Sequence, residues 1–175
     1  PTQVTDLARM LARRPYVAPG NDLPDAFASL SYDQYVSIRA NANARVWSGD
    51  NRGFVIEPLH RGSLFKDAVT IYLVEDGAVR RLAYDVAKFD FGRLSVQPPT
   101  TDIGFSGFRI FFGSGGERPY EVALFQGATF FRAIARGQNM GVAARTLTLR
   151  PGEAKGEEVP TFRAFWIERP SFGAD

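Results

Sequence analysis

No cysteine occurs in the chain, and histidine occurs once, at His60. A disulfide framework is therefore excluded. A zinc site of the usual kinds needs three or four converging N, S or O ligands and has almost nothing to draw on. No metal or cofactor is expected. No apolar run approaches the roughly 18–20 residues needed to cross a bilayer, so no membrane span is expected. A Gly-x-y period, sustained heptads, internal repeats and low-complexity segments are missing too, which removes collagen and coiled coil. Charge of one sign is scarce: 21 Lys+Arg face 19 Asp+Glu, leaving +2. The basic residues are scattered, with Arg13-Arg14 and Arg80-Arg81 as the adjacent pairs. A nucleic-acid surface needs them gathered on one face or groove, so no nucleic-acid partner is expected.

What is present is globular. The 175 residues are 45% hydrophobic and 23% charged, enough for one domain with a substantial core. Val4, Leu7, Ala8 and Leu11 fall at i, i+3, i+4 and i+7, which predicts a short amphipathic helix ending before Pro15. Asp22 is positioned to cap a second short helix running to about Leu30, with Pro24 near its start. A third is predicted over Tyr32–Ile38. Beyond Ala44 the period changes to that of strands: Arg45–Ser48, Gly53–Leu59, Val69–Val74, Val79–Tyr84, Phe105–Phe112, Tyr120–Phe125, Thr129–Ala135, Val142–Leu149 and Phe162–Glu168. Asp76-Gly77 marks one hairpin turn, and the glycine-rich run from Gly113 to Pro119 reads as another. Strands at this spacing without intervening helices predict an all-β fold with short N-terminal helices, an antiparallel β-sandwich. Residues 1–43 read as a helical segment packing on the sheet, and 44–175 as the sandwich portion of the same domain. The chain stops soon after Phe162–Glu168 at what reads as a linker, so a sandwich continued by a longer chain is expected.

Few motifs carry chemistry. His60, without a nucleophile elbow elsewhere, reads as structural. Gly113–Gly116 lacks the Gly-Lys-Ser/Thr ending of a phosphate loop and precedes a strand, which favours a hairpin. Glu157 and Glu158 are adjacent and would point apart on a strand, so they read as solvated loop acids rather than a glycosidase pair. The informative residues are charges on otherwise apolar strand faces. Arg132 shares a side with Phe130 and Ile134, and Arg145 with Ala143 and Leu147. Glu121 falls with Ala123 and Phe125, while Trp166 and Glu168 fall with Phe162 and Ala164. Such charges need partners or a cleft. One reading is internal Arg–Glu pairing. The other is a concave face where rings stack on sugar C–H faces and charged groups bond hydroxyls, with Arg132, Arg145, Trp166, Glu121 and Glu168 as candidate saccharide-binding residues.

The collinear segments resemble a known family. Leu23-Pro24 and Leu30–Tyr35 come first, followed by Ile38-Arg39, Trp47, Leu59–Gly62, Phe65 and Val69. Gly104–Arg109, Phe125–Arg132, Gly141–Arg145, Glu157–Phe162 and Phe165–Pro170 complete the series. This order is similar to the N-terminal part of the periplasmic glucan biosynthesis proteins of Gram-negative bacteria, the MdoG/OpgG family with its paralogue OpgD. Thr146 departs from an expected glycine and Val159 from an expected phenylalanine. The resemblance implies a galactose-mutarotase-like sandwich, periplasmic residence, and a role in making osmoregulated β-1,2-linked glucans. It implies an intact protein that is an inverting β-1,2-glucanase or transglycosylase. The alternative is a non-catalytic scaffold that holds glucan and docks on the membrane glucan synthase. The implied partners are β-1,2-glucan or a related oligosaccharide, that synthase, and the remainder of a longer chain. No catalytic residue is carried over, and the segment alone is expected to be inactive.

Overall fold

The computed structural model describes residues 2–18, 20, 22–113 and 119–172. Helix α1 spans Thr2–Ala12, α2 Asp25–Ala28 and α3 Tyr32–Ser37. Ser31 starts α3 with a reciprocal cap: its hydroxyl accepts from the Gln34 amide and the Gln34 side chain accepts from the Ser31 amide. Asp22 does not cap α2. Its carboxylate instead meets the Arg61 guanidinium at 2.7 Å, and Pro24 occupies the cap position. Leu7, Met10 and Leu11 of α1 are exposed, whereas Leu23, Phe27, Leu30 and Tyr35 are buried. The stretch from Leu23 onward is the part of the N-terminal region that joins the core.

Three sheets follow. A short pair joins β1 (Arg39–Ala40) to β5 (Phe89–Asp90). A three-stranded sheet runs β10–β3–β4, from Ala164–Glu168, Thr70–Glu75 and Ala78–Arg81. A five-stranded antiparallel sheet runs β2–β6–β7–β8–β9, from Phe54–Leu59, Gly107–Phe112, Tyr120–Gln126, Phe130–Ala133 and Val142–Arg145. The all-β, mostly antiparallel fold with short helices is therefore as the sequence predicts, with one exception: β10 pairs parallel to β3. Asp76 and Gly77 both have positive φ, 51° and 83°, which suits the tight turn between β3 and β4. The Gly113–Pro119 connection lies largely outside the described residues, but its flanking strands β6 and β7 do pair antiparallel.

Arg45–Ser48 is not a strand. Val46 makes an isolated bridge to Ile56, and the chain then turns at Trp47 with φ 64°. The turn is held because Trp47 is buried and its Nε1 donates to Glu75 Oε1 at 2.7 Å. The strand predicted over Val142–Leu149 ends early, at Arg145, where the Thr146 amide bonds the Thr129 carbonyl.

Part of the core lies between the two larger sheets and continues to Leu23, Phe27, Leu30 and Phe89. Phe108 and Phe125 of the five-stranded sheet stack at 5.2 Å, and Phe165 of β10 meets Phe108 edge-on at 4.9 Å. Ile71, Leu73 and Phe105 are essentially inaccessible. Each such side chain contributes about 1.5–3 kcal/mol by leaving water. Gly107 is required where β6 crosses β7: a Cβ there would lie 2.0 Å from the Phe125 carbonyl oxygen. The opposite face of the five-stranded sheet is turned away from this core and is polar.

Candidate functional site

The polar face is assembled by strand register. Glu57, Arg109, Leu124, Arg132 and Ala143 form one row across β2–β6–β7–β8–β9. Leu59, Gly107, Gln126, Phe130 and Arg145 form the next. With α3, Arg39, the Leu64–Asp67 loop and Thr161–Phe162 as walls, these rows line a cavity of about 900 Å³.

Ion pairs link side chains of the first row to Arg45 and Glu121 beside it. Arg45 Nε donates to Glu57 at 2.9 Å, and Arg109 Nη1 approaches the other Glu57 oxygen at 3.7 Å. Arg109 Nε lies 3.5 Å from Glu121, which also receives a hydrogen bond from Arg132 Nη2. Arg45, Glu57, Arg109, Glu121 and Arg132 thus make a ladder of alternating sign. The glutamates are its sheltered members, with side chains 8% and 16% exposed, while Arg109 and Arg132 are about 40% exposed. Arg45 also lies over the Phe111 ring, 4.7 Å from its centre. Arg145, on the edge strand, donates to the Ala128 carbonyl.

Beneath this face a neutral network holds the wall. Tyr35 donates to the His60 carbonyl at 3.1 Å and accepts from Gln126 Nε2 at 2.8 Å. Ser106 donates to the same carbonyl at 2.7 Å and accepts from Gln126 at 2.8 Å. Burial raises the Tyr35 hydroxyl above its usual pKa, against the opposing hydrogen bonds from Ser106 and Gln126. These bonds tie α3, the end of β2, β6 and β7 together.

His60 is buried among Phe27, Phe89, Phe91 and Tyr84, with ring centres 5.1–5.5 Å apart. Nδ1 lies 2.6 Å from the Arg61 carbonyl, so it donates, and Nε2 accepts from the Tyr84 hydroxyl at 3.0 Å. Burial, chiefly, pushes the imidazole down to about 4, so it is neutral at ordinary pH. Arg61 is 1% exposed, and its guanidinium bonds the Lys66 and Ile103 carbonyls and Asp22. It buckles the loop walls to the N-terminal segment. Sequence reasoning noted Arg61 as part of a motif without seeing this role, because nothing local marks an arginine whose partners are distant carbonyls.

The structure brings Arg132, Arg145 and Glu121 to one face, and Arg132 and Arg145 line the cavity directly. Glu121 reaches that face through a register shift between Ile110 and Phe111. Simple alternation would have put it beside Ala123 and Phe125, on the core side. The β-bulge turns it over. Trp166 and Glu168 are not brought there. They project from the outer face of the three-stranded sheet, where Trp166 is 63% exposed and stacks on Tyr72 at 4.9 Å. On that strand Phe165 and Ile167 face the core instead. Glu57, Arg109 and Arg45 complete the site and were missed. They stand on the segments Gly53–Leu59, Phe105–Phe112 and Arg45–Ser48, where the same test of a charge on an apolar strand would have found the first two.

Glu157 and Glu158 lie exposed outside the cavity, and Glu158 pairs with Arg150 at 2.6 Å. Among the described residues no group of three His, Cys, Asp or Glu could hold a metal ion, and no helix is long and apolar enough to cross a membrane.

The fold is thus a mostly antiparallel β-protein whose five-stranded sheet packs phenylalanines on one face and sets arginines and glutamates over a cavity on the other. The family described as "Periplasmic glucan biosynthesis protein, MdoG" matches residues 1–175, and the chain belongs to it. It is 45% identical over 98% of its length to a protein of Rhodopseudomonas palustris (strain BisA53) named Glucans biosynthesis protein G. Proteins of the same name from Bradyrhizobium diazoefficiens and Vibrio cholerae (El Tor Inaba N16961) are 42% and 40% identical over 98% and 97% of the chain. The chain spans about a third of the length of these relatives: 34%, 34% and 31%.

Proposed function

We propose that these residues form one wall of a saccharide cleft in a periplasmic protein of glucan biosynthesis, and that the bound polymer is a β-1,2-linked glucan. The observation that carries the reading is the ladder from Arg45 to Arg132 along the cavity, with Phe130, Phe162 and Phe65 beside it. Planar guanidiniums offer donors in fixed directions to ring hydroxyls, and aromatic rings offer faces to sugar C–H groups. The relatives' names supply the polymer class.

The intact protein then acts on β-1,2 bonds as an inverting hydrolase or transglycosylase, or holds glucan as a scaffold beside a membrane synthase. For this wall, binding is favoured over chemistry. Glu57 and Glu121 are each held between two guanidiniums, so they anchor arginines rather than present a carboxyl to a glycosidic oxygen. Titrating the full-length protein and the 175-residue chain with linear β-1,2-glucan oligosaccharides, while assaying reducing-end release, tests this. Saturable binding that Arg132→Gln weakens about tenfold is expected, with no hydrolysis by the 175 residues alone. Absence of binding at millimolar oligosaccharide, or cleavage lost on Glu57→Gln, would overturn it.

A further inference from the structure

We infer that the cavity prefers a saccharide carrying an anionic group, a carboxylate or a phosphate ester, over a neutral one. This rests on the saccharide-cleft reading and adds the charge of the ligand. Six cationic side chains line the cavity: Arg39, Arg45, Lys66, Arg109, Arg132 and Arg145. Against them stand Glu57 and Asp67 in the lining and Glu121 on the ladder, which leaves an excess of three positive charges.

The hydrogen bonds point the same way. A guanidinium carries five N–H donors and no acceptor. Arg109 makes no hydrogen bond among the described residues, although it lies within ion-pair distance of both glutamates, at 3.7 Å and 3.5 Å. Arg132 spends one bond on Glu121, and Arg145 one on the Ala128 carbonyl. The exposed ends of these side chains therefore offer donors to whatever occupies the cavity. A neutral sugar can take up these donors through its hydroxyls, but each hydroxyl also brings a donor of its own. Of the carboxylates at the cavity, Glu57 and Glu121 are already engaged by arginine, which leaves Asp67. The oxygens of a carboxylate or an ionised phosphate ester only accept, and two oxygens of one group can take two parallel bonds from one guanidinium.

The test is calorimetric titration of the full-length protein with three linear β-1,2-glucan oligosaccharides of one length: unmodified, carboxymethylated and phosphorylated. At low ionic strength the charged forms are expected to bind about tenfold tighter than the neutral one. That gap is expected to close in about 0.5 M NaCl, where screening acts within a few ångström. It is also expected to narrow in Arg109→Gln and Arg132→Gln, with thermal midpoints recorded to confirm folding. Arg145→Gln, on an exposed edge strand, is the variant least able to disturb the fold. A gain in one charged arm alone supports the inference and identifies the group. Equal affinity for all three oligosaccharides overturns the charge preference and leaves the cleft reading standing. A gain untouched by all three substitutions overturns its assignment to this cavity. If no oligosaccharide binds, both readings fall.

Discussion

On one side of the five-stranded sheet Phe108, Phe125 and Phe131 pack toward Phe165; on the other, Glu57, Arg109, Arg132 and Gln126 stand over a cavity. The same five strands supply both sets, often from adjacent residues such as Phe108 and Arg109 or Phe125 and Gln126. The pleat separates them. One face answers to packing density, where every methylene counts, and the other to charge balance. A substitution on the first face is therefore read as stability, and one on the second as binding.

The largest expected effect tests that division. Phe108→Ala removes a ring that is 3% exposed and touches Phe125 and Phe165. It is expected to lower unfolding free energy by about 3–5 kcal/mol, seen as a shift in urea midpoint. Arg132→Gln, two strands away on the other face and 39% exposed, is expected to cost about 1 kcal/mol or less. If the two variants lose similar stability, the arginine ladder is a structural element and the division between faces is wrong.

A second effect, of about 3 kcal/mol, belongs to His60 and follows from its burial among Phe27, Tyr84, Phe89 and Phe91. Its folded pKa is about 4 against an ordinary 6.5. Above pH 6.5 both folded and unfolded chains hold the ring neutral, and it has no bearing on stability. As pH falls from 6.5 toward 4 the unfolded state takes up the proton first, so stability is lost across that window and the loss is complete below it. Urea melts of the wild type and His60→Gln between pH 7.5 and 4 check the sign. The difference between them should shrink as pH falls, while the carboxylate titrations common to both cancel. A difference that stays constant would mean His60 keeps its ordinary pKa and is not sealed from water.

Much of this was legible in the chain. Runs such as Phe105–Phe112 and Thr129–Ala135 show the two-residue period directly, and Asp76-Gly77 names its own turn. The candidate cleft was visible through Arg132 and Arg145, because a charge on a strand that otherwise faces a core must be paired or open to a cavity. Glu121 was found for that reason as well, but on the wrong side, since a bulge leaves no mark in alternation. Trp47 was hidden by a tertiary bond to Glu75, 28 residues away, that bends what reads as a strand. Arg61 was hidden because its partners are backbone carbonyls, which any sequence supplies. Pairing of β10 with β3 joins the end of the chain to its middle, and parallel register over such a distance has no local signature.

The smallest expected effect concerns Trp166. It lies directly across from Tyr72 on parallel strands, and the two rings stack at 13° with most of the indole in solvent. Trp166→Ala loses that stacking and little burial, so a stability cost of about 1 kcal/mol is expected. Because its face belongs to the three-stranded sheet, across the phenylalanine core from Arg132, glucan affinity is expected to stay within about twofold of wild type, a difference under 0.5 kcal/mol. Titrating Trp166→Ala beside Arg132→Gln with the same oligosaccharide decides the matter. Should the tryptophan variant lose as much affinity as the arginine variant, saccharide must contact both sheets, and recognition would not be confined to the face that the bulge and the arginine ladder create.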